Sequence, residues 1–401
     1  MGRPKSSWPG GCRMDRRTFL TGALGGLAAL HVRPRGALAQ PRIPGYDGPN
    51  VIIVRFGGGC RRQETILTDD TYSPYLRHVL AERGTLFSGM EMSESDDVET
   101  GHGQGTLNIL TGRYDRYKDV EDRFLGERFE AQTPTVFELL RKSYAVPEHQ
   151  TLIVNGEDRI DEEFYTFSNH HLFGVEYRSR VLSLYRYKTY LLRQQLAEGS
   201  IADDDLPKAE KELAKMEGSD YRTEGAYVES PEIVGFWEKW RAYYGDTGFV
   251  NPRGDRLLTE LSVRAMRELR PKLMMVNYND CDYVHWGNMS HYTRGVAIMD
   301  EGLRRLVEAA DAEDAYRDNT VFVVVPDCGR DDNPFMAVPC QHHANTRSAR
   351  EIFALIVGPG IAPGVWIDDT TDQIAVAPTV AALMGVGAPD AEGTALEQAF
   401  A

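Results

Sequence analysis

The feature that most limits what this chain can fold into is a series of short apolar runs. Each stops at a cluster of glycine, acid, thiol or amide residues, and helical stretches lie between them. The runs are Val51 to Phe56, Thr151 to Asn155, Leu273 to Tyr278, Val321 to Val325 and Phe353 to Val357. Near-continuous apolar character with many β-branched residues reads as strands buried on both faces. Strands spaced by helices predict an α/β fold, a mostly parallel sheet sandwiched by helices. Ligands of such sheets sit beyond the carboxyl ends of the strands. Those ends read Gly57-Gly58-Gly59-Cys60-Arg61, Asn155-Gly156-Glu157-Asp158, Asn279-Asp280-Cys281-Asp282, Asp327-Cys328-Gly329-Arg330 and Gly358-Pro359-Gly360. The pattern therefore predicts a site on one rim of the sheet.

With 401 residues the chain is long enough for one large domain or two ordinary ones. Its start reads differently from the rest. Arg16-Arg17 precede Phe19-Leu20, a short weakly apolar stretch and Ala37-Leu38-Ala39, so residues 1–39 read as a cleavable twin-arginine export signal, too short to span a membrane. The expected location is periplasmic or extracellular. The formal net charge of −15 argues against nucleic acid or an anionic lipid surface as partner, and no later stretch is apolar enough for a membrane span. Residues 40–401 read as one domain interrupted at about 180–245 by charged helical segments with aromatics, either a cap over the core or ordinary surface helices. After His285, the spacing of Val296, Met299, Leu303 and Leu306 predicts a helix facing the core.

Five pieces occur in order: "NVIIVRFGGGCR", "ETGHGQGTLNILTGRY", "NDCDYVHWG", "TVFVVVPDCGRDDNP" and "CQHHANTRSAREIFALIVGPGI". Together with the closing "DQIAVAPTVAALMGVGAPDAEGTALEQAF", they resemble the alkaline phosphatase and sulfatase superfamily, in particular its poorly characterised twin-arginine-exported members. The resemblance implies a small anionic ester substrate, phosphate or sulfate, and two divalent metal ions, zinc being expected, held by Asp and His at strand ends. The carry-over is partial. The first-strand aspartate falls on Gly57, and the nucleophile position falls on His102, with Thr100 two residues before it. The acid of the Asp-x-x-x-His pair falls on Cys281, flanked by Asp280 and Asp282, with its histidine at His285. The Asp-His-Gly motif appears as Asp327-Cys328-Gly329, and the late histidine is doubled as His342 and His343.

The resemblance thus implies metal ligands among Asp280, Cys281, Asp282, His285, Asp327, Cys328, His342 and His343. Asp327 would be a ligand or would orient one of the imidazoles. His102 or Thr100 would act as nucleophile or base. Arg61 and Arg330, just past strand tips, are candidate anion clamps. His170-His171 are expected to stay away from the rim. Cys60, Cys281, Cys328 and Cys340 lie in or beside the same segments, as disulfides, metal thiolates or small buried fillers. Two functions follow: an exported metal-dependent ester hydrolase, or a degenerate relative that binds a ligand or partner without turnover.

Overall fold

Strand β1 (Asn50–Phe56) is buried at every residue and runs through the middle of the sheet, as its Val-Ile-Ile-Val run demands. The structure is a computed structural model. It describes residues 45–401 except 95–97, 117–130, 157–165, 169–172, 219–228, 247–253, 286–287 and 333–339. Residues 1–39, expected to be an export signal, His170-His171 and Glu157-Asp158 lie outside the described residues. The other strands are β2 (Gly84–Phe87), β3 (Met90–Glu91), β4 (Thr151–Asn155), β5 (Arg180–Leu182), β6 (Leu273–Asn277), β7 (Thr320–Pro326), β8 (Ala354–Val357), β9 (Val365–Ile367) and β10 (Thr371–Asp372). The main sheet has eight strands in the order β5-β4-β6-β1-β7-β8-β2-β9, and β3 pairs with β10 separately. From β5 to β7 all neighbours are parallel, with Val54 of β1 opposite Val276 of β6 and Val324 of β7. The mostly parallel sheet predicted from the sequence is what forms.

Alternation along β1 divides the core. Ile52, Val54 and Phe56 face one apolar layer, Val51 and Ile53 the other. The second layer is covered by α1 (His102–Thr111), α2 (Val136–Tyr144) and α8 (Val376–Leu383). The first holds α3 (Leu184–Glu198), α5 (Pro231–Tyr244), α6 (Asp255–Leu269) and α7 (Met289–Ala312), with α4 (Leu206–Gly218) packed on α3. In α7, Val296, Met299, Leu303 and Leu306 are all fully buried, as their spacing predicts. The 180–245 stretch begins with β5 and continues as α3 to α5. Its Tyr187, Ile233, Phe236, Trp237 and Trp240 join the apolar layer of α6 and α7. These helices therefore widen one side of the sandwich.

Strand direction corrects one expectation. β8 runs antiparallel to β7, so its carboxyl end, Gly358-Pro359-Gly360, lies at the amino ends of the parallel strands. A Cβ at Gly358 would lie 2.8 Å from the Cα of Val321, at the start of β7. The predicted rim is therefore built without that turn.

The glycines of α1 have a local reason. All ten residues of this helix are buried, and it ends on Gly112 at φ 71°. A methyl group at Gly105 would lie 2.5 Å from the carbonyl carbon of Asp327 and 2.9 Å from its Cα. Only glycine lets α1 lie directly against the end of β7. That contact brings His102, its first residue, to the rim.

Candidate metal centre

The carboxyl ends of β1, β6 and β7 meet at Gly57–Cys60, Asn279–His285 and Asp327–Arg330. Asp327 is the hub. Its buried carboxylate accepts hydrogen bonds from the backbone N–H groups of Gly58 (3.2 Å), Gly59 (3.1 Å) and Cys328 (2.8 Å), and from His102 Nδ1 (2.9 Å). Arg55 Nη1 lies 3.7 Å from the same carboxylate. Burial alone would raise its pKa, but His102, Arg55 and the Gly59 N–H hold it well below the usual carboxylate range. The glycine-rich turn is thus a cradle for this acid. The loops after β1 and β6 touch as backbone: a Cβ at Gly58 would lie 2.8 Å from the carbonyl carbon of Cys281.

His102, Asp282, His285 and His342 each offer a ligand atom within 4.8 Å of the others. Asp282 Oδ1 is 2.7 Å from both His102 Nε2 and His285 Nε2, and His342 Nε2 is 3.1 Å from His285 Nε2. The second nitrogens show what these rings present to one another. His342 Nδ1 lies 2.6 Å from the Thr100 carbonyl, which only accepts, so the proton is on Nδ1 and Nε2 carries a lone pair. Gln341 donates through Nε2 to the His285 carbonyl, which turns its Oε1 toward His285 Nδ1 at 2.9 Å. His285 Nε2 in turn faces Asp282 Oδ1 at 2.7 Å, an oxygen that only accepts, so Nε2 would give up its proton to take a metal. Two imidazole Nε2 atoms and a carboxylate oxygen converge, with each ring locked from behind by an oxygen acceptor. Locking of this kind orients histidine ligands toward a metal.

His102 differs. Both of its nitrogens face carboxylate oxygens, an arrangement satisfied by a doubly protonated ring. Although burial opposes the charge, Asp327 and Asp282 raise its pKa well above the ordinary value. Burial opposes ionisation of Asp282 as well, but His102 and His285 hold it well below the carboxylate range. Burial, then the His102 charge, push His342 down to about 2, which keeps it neutral.

The structure brings together four of the predicted residues and leaves others nearby in different roles. Asp327 stands behind His102. Cys328 Sγ is 4.0 Å from His102 Nδ1, and burial raises its thiol to about 11. His343 is exposed, its ring centroid 5.4 Å from that of His285. Thr100 is buried, its hydroxyl donating to the His342 carbonyl and to Asn345 Oδ1. Asp280 turns away to α6: its carboxylate accepts from Asp255 N, while Asp255 accepts from Asn279 N and Asp280 N. Arg61 is paired with Glu64. Arg330 is fully buried and spends its guanidinium on the carbonyls of Gly58, Gly59, Cys281 and Cys340, clasping three loops. The four described cysteines are free thiols, with Cys60 and Cys281 3.7 Å apart and Cys340 beside Met289.

Three supporting residues escape a reading by motif. Gln341 orients His285. Asp331 is buried and accepts from Ala344 N and Thr346 Oγ1, fixing the turn that carries His342. Arg55 is buried beside Asp327, and the sequence did signal it, as a lone charge inside an apolar strand.

The implied pair of metal ions is therefore met unevenly. Asp282, His285 and His342 fit one ion, with His102 as a neighbour or fourth donor. The second group, His102, Asp327 and Cys328, does not fit another. The oxygens of Asp327 are already occupied by four donors, and the Cys328 thiol is held protonated. Gly57 has no room for an acid, since a Cβ there would run into the Tyr278 carbonyl and lie 2.8 Å from Arg55 Nη2.

No family model and no curated protein matches the sequence. Among solved structures, the chain is similar to a protein in the alkaline phosphatase superfamily from Vibrio parahaemolyticus. That match has a TM-score of 0.53 and 16% identity, over 90% of this chain and 72% of the other. It is also similar to the lipoteichoic acid synthase LtaP from Listeria monocytogenes, with a TM-score of 0.50 and 13% identity over 90% and 79% of the two chains. With its mostly parallel sheet between helical layers, this chain has an alkaline-phosphatase-like fold.

Proposed function

We propose that this protein is a metal-dependent hydrolase of phosphate or sulfate esters built around a single ion, zinc by its nitrogen-rich donor set. The observation that carries the proposal is the convergence of His285 Nε2, His342 Nε2 and Asp282 Oδ1, each ring fixed from behind by Gln341 or by the Thr100 carbonyl. Three protein donors leave one tetrahedral position open. A divalent ion held there would polarise an ester oxygen and lower the pKa of water.

The chain's own residues supply the rest. Asp327 holds Nδ1 of His102, and Asp282 holds Nε2, so the ring is fixed with a proton facing the donor cluster. His102 Nε2 is then placed to give that proton to the leaving oxygen of the ester. Arg330 keeps the three loops in register. The paired Arg16-Arg17 leader supports export to the periplasm, tested by fractionation of cells carrying the intact chain and an Arg16→Lys/Arg17→Lys variant.

A second reading has its own support. If His102 turns its Nε2 to the ion as a fourth donor, the site is closed, and the consumed Thr100 hydroxyl leaves a binding centre without turnover. His102→Ala separates the two. The hydrolase reading expects retained metal and loss of about 10²-fold or more in turnover on aryl phosphate or aryl sulfate esters. The closed-site reading expects metal affinity to drop and the native protein to show no turnover on either ester.

A further inference from the structure

We infer that Arg55 is a built-in cation occupying the position beside Asp327 where a second metal ion would otherwise be held, so that the protein is a one-ion system by construction. Its side chain leaves β1 on the same face as Val51 and Ile53, the face covered by α1, and is 1% exposed. Nη1 donates to Thr106 Oγ1, one turn into α1 from His102, and lies 3.7 Å from Asp327 Oδ2. Nε has no hydrogen-bond partner. The guanidinium also fills the volume into which a side chain at position 57 would project, with Nη2 2.8 Å and Nε 3.0 Å from a Cβ built there.

Three groups thus bracket the guanidinium: the Cβ direction of Gly57, the Asp327 carboxylate and the hydroxyl of Thr106. A divalent ion bound by Asp327 and Cys328 would stand close to a fixed positive charge it cannot displace. Arg55 acts through Asp327: it sets a positive charge 3.7 Å from that buried carboxylate, and the carboxylate holds His102. It is a positioning residue, and its charge is the property that matters.

The test is whether the position demands a cation. In Arg55→Ala, added guanidinium ion is expected to raise Tm saturably, by about 2 °C at ten times its Kd. Urea, the neutral molecule of the same shape, is expected to do nothing at equal concentration, and neither solute should shift the native protein this way. A variant that guanidinium does not rescue, or that urea rescues equally, overturns the inference. If Arg55→Ala does not fold, Arg55→Lys against Arg55→Met decides. Retained stability in the lysine variant alone supports the charge, and equal loss in both overturns it.

Metal stoichiometry measured alongside separates this inference from the single-ion proposal on which it partly rests. Two zinc equivalents in the native chain overturn the role of Arg55. No zinc, with guanidinium rescue intact, leaves Arg55 supported and removes the metal-centre reading.

Discussion

Replacing Gly105 by alanine tests how the site is positioned. In a helix interior this exchange ordinarily stabilises by about 1 kcal/mol. At Gly105 the added methyl would lie 2.5 Å from the carbonyl carbon of Asp327, where carbon atoms in good contact stand at about 3.5–4 Å, so α1 must retreat by about 1 Å. Backbone lies on both sides, and neither can swing away. Overpacking of this kind costs about 1–3 kcal/mol. The same retreat stretches the bonds of His102 to Asp327 and Asp282, now 2.9 and 2.7 Å, at about 1–3 kcal/mol for buried charged partners. Less the helical gain, the net is a loss on the order of 3 kcal/mol. Gly235, inside α5, has nothing within 4 Å of its Cβ position, so Gly235→Ala should stabilise by up to about 1 kcal/mol. Urea denaturation followed by tryptophan fluorescence gives both values. Opposite signs support the packing of α1 on β7, and a Gly105→Ala protein as stable as the native one refutes it.

Further outcomes follow from other parts of the fold. Trp237 is 1% exposed between Tyr187 and Phe236, so Trp237→Ala should cost about 3–5 kcal/mol while leaving metal affinity unchanged, read by denaturation and zinc titration. Burial pushes the Asp300 carboxyl up to about 6, against the N–H groups of Tyr75 and Leu76 that pull it down. Because the folded chain keeps this proton to a higher pH than the unfolded chain, its contribution is complete below about pH 4. It is lost as pH rises through about 6, amounting to about 3 kcal/mol. Denaturation midpoints between pH 4.5 and 7 should carry this fall, and Asp300→Asn should remove its share, about 3 kcal/mol, from the pH dependence whatever the fixed cost of the exchange. Asp327→Asn sets an amide NH2 against two of the four present donors and leaves Arg55 and His102 without their anion. A destabilisation of about 3–5 kcal/mol is expected from thermal or urea unfolding.

The central strands were legible because burial on both faces leaves a continuous apolar signal: Val51 to Phe56 and Val321 to Val325 fall inside β1 and β7. β2 and β9, four and three residues long, carry too little pattern to separate from their surroundings. The direction of β8 is set by its pairing with β7 and β2, and no property of its own residues encodes it. Gly358-Pro359-Gly360 therefore lies at the rim opposite to the one its strand-end pattern suggests. At the site, residue types at strand ends pointed to Asp282, His285, His102 and His342. Which acid faces inward was not legible, because Asp280 and Asp282 differ only in the turn of a short helical segment, one reaching Asp255 and the other the histidines. Arg330 and Arg61 look like anion clamps in sequence, yet carbonyl oxygens from distant loops consume the first and the neighbouring Glu64 the second.

Zinc content after dialysis of the purified protein against a slight excess of the metal tests the central claim most directly, with His285→Ala prepared in parallel. One equivalent per chain in the native protein and none in the variant is the expected result, since His285 Nε2 stands between Asp282 and His342. A native chain that takes up no zinc, or a His285→Ala chain that holds it as tightly as the native one, contradicts the account.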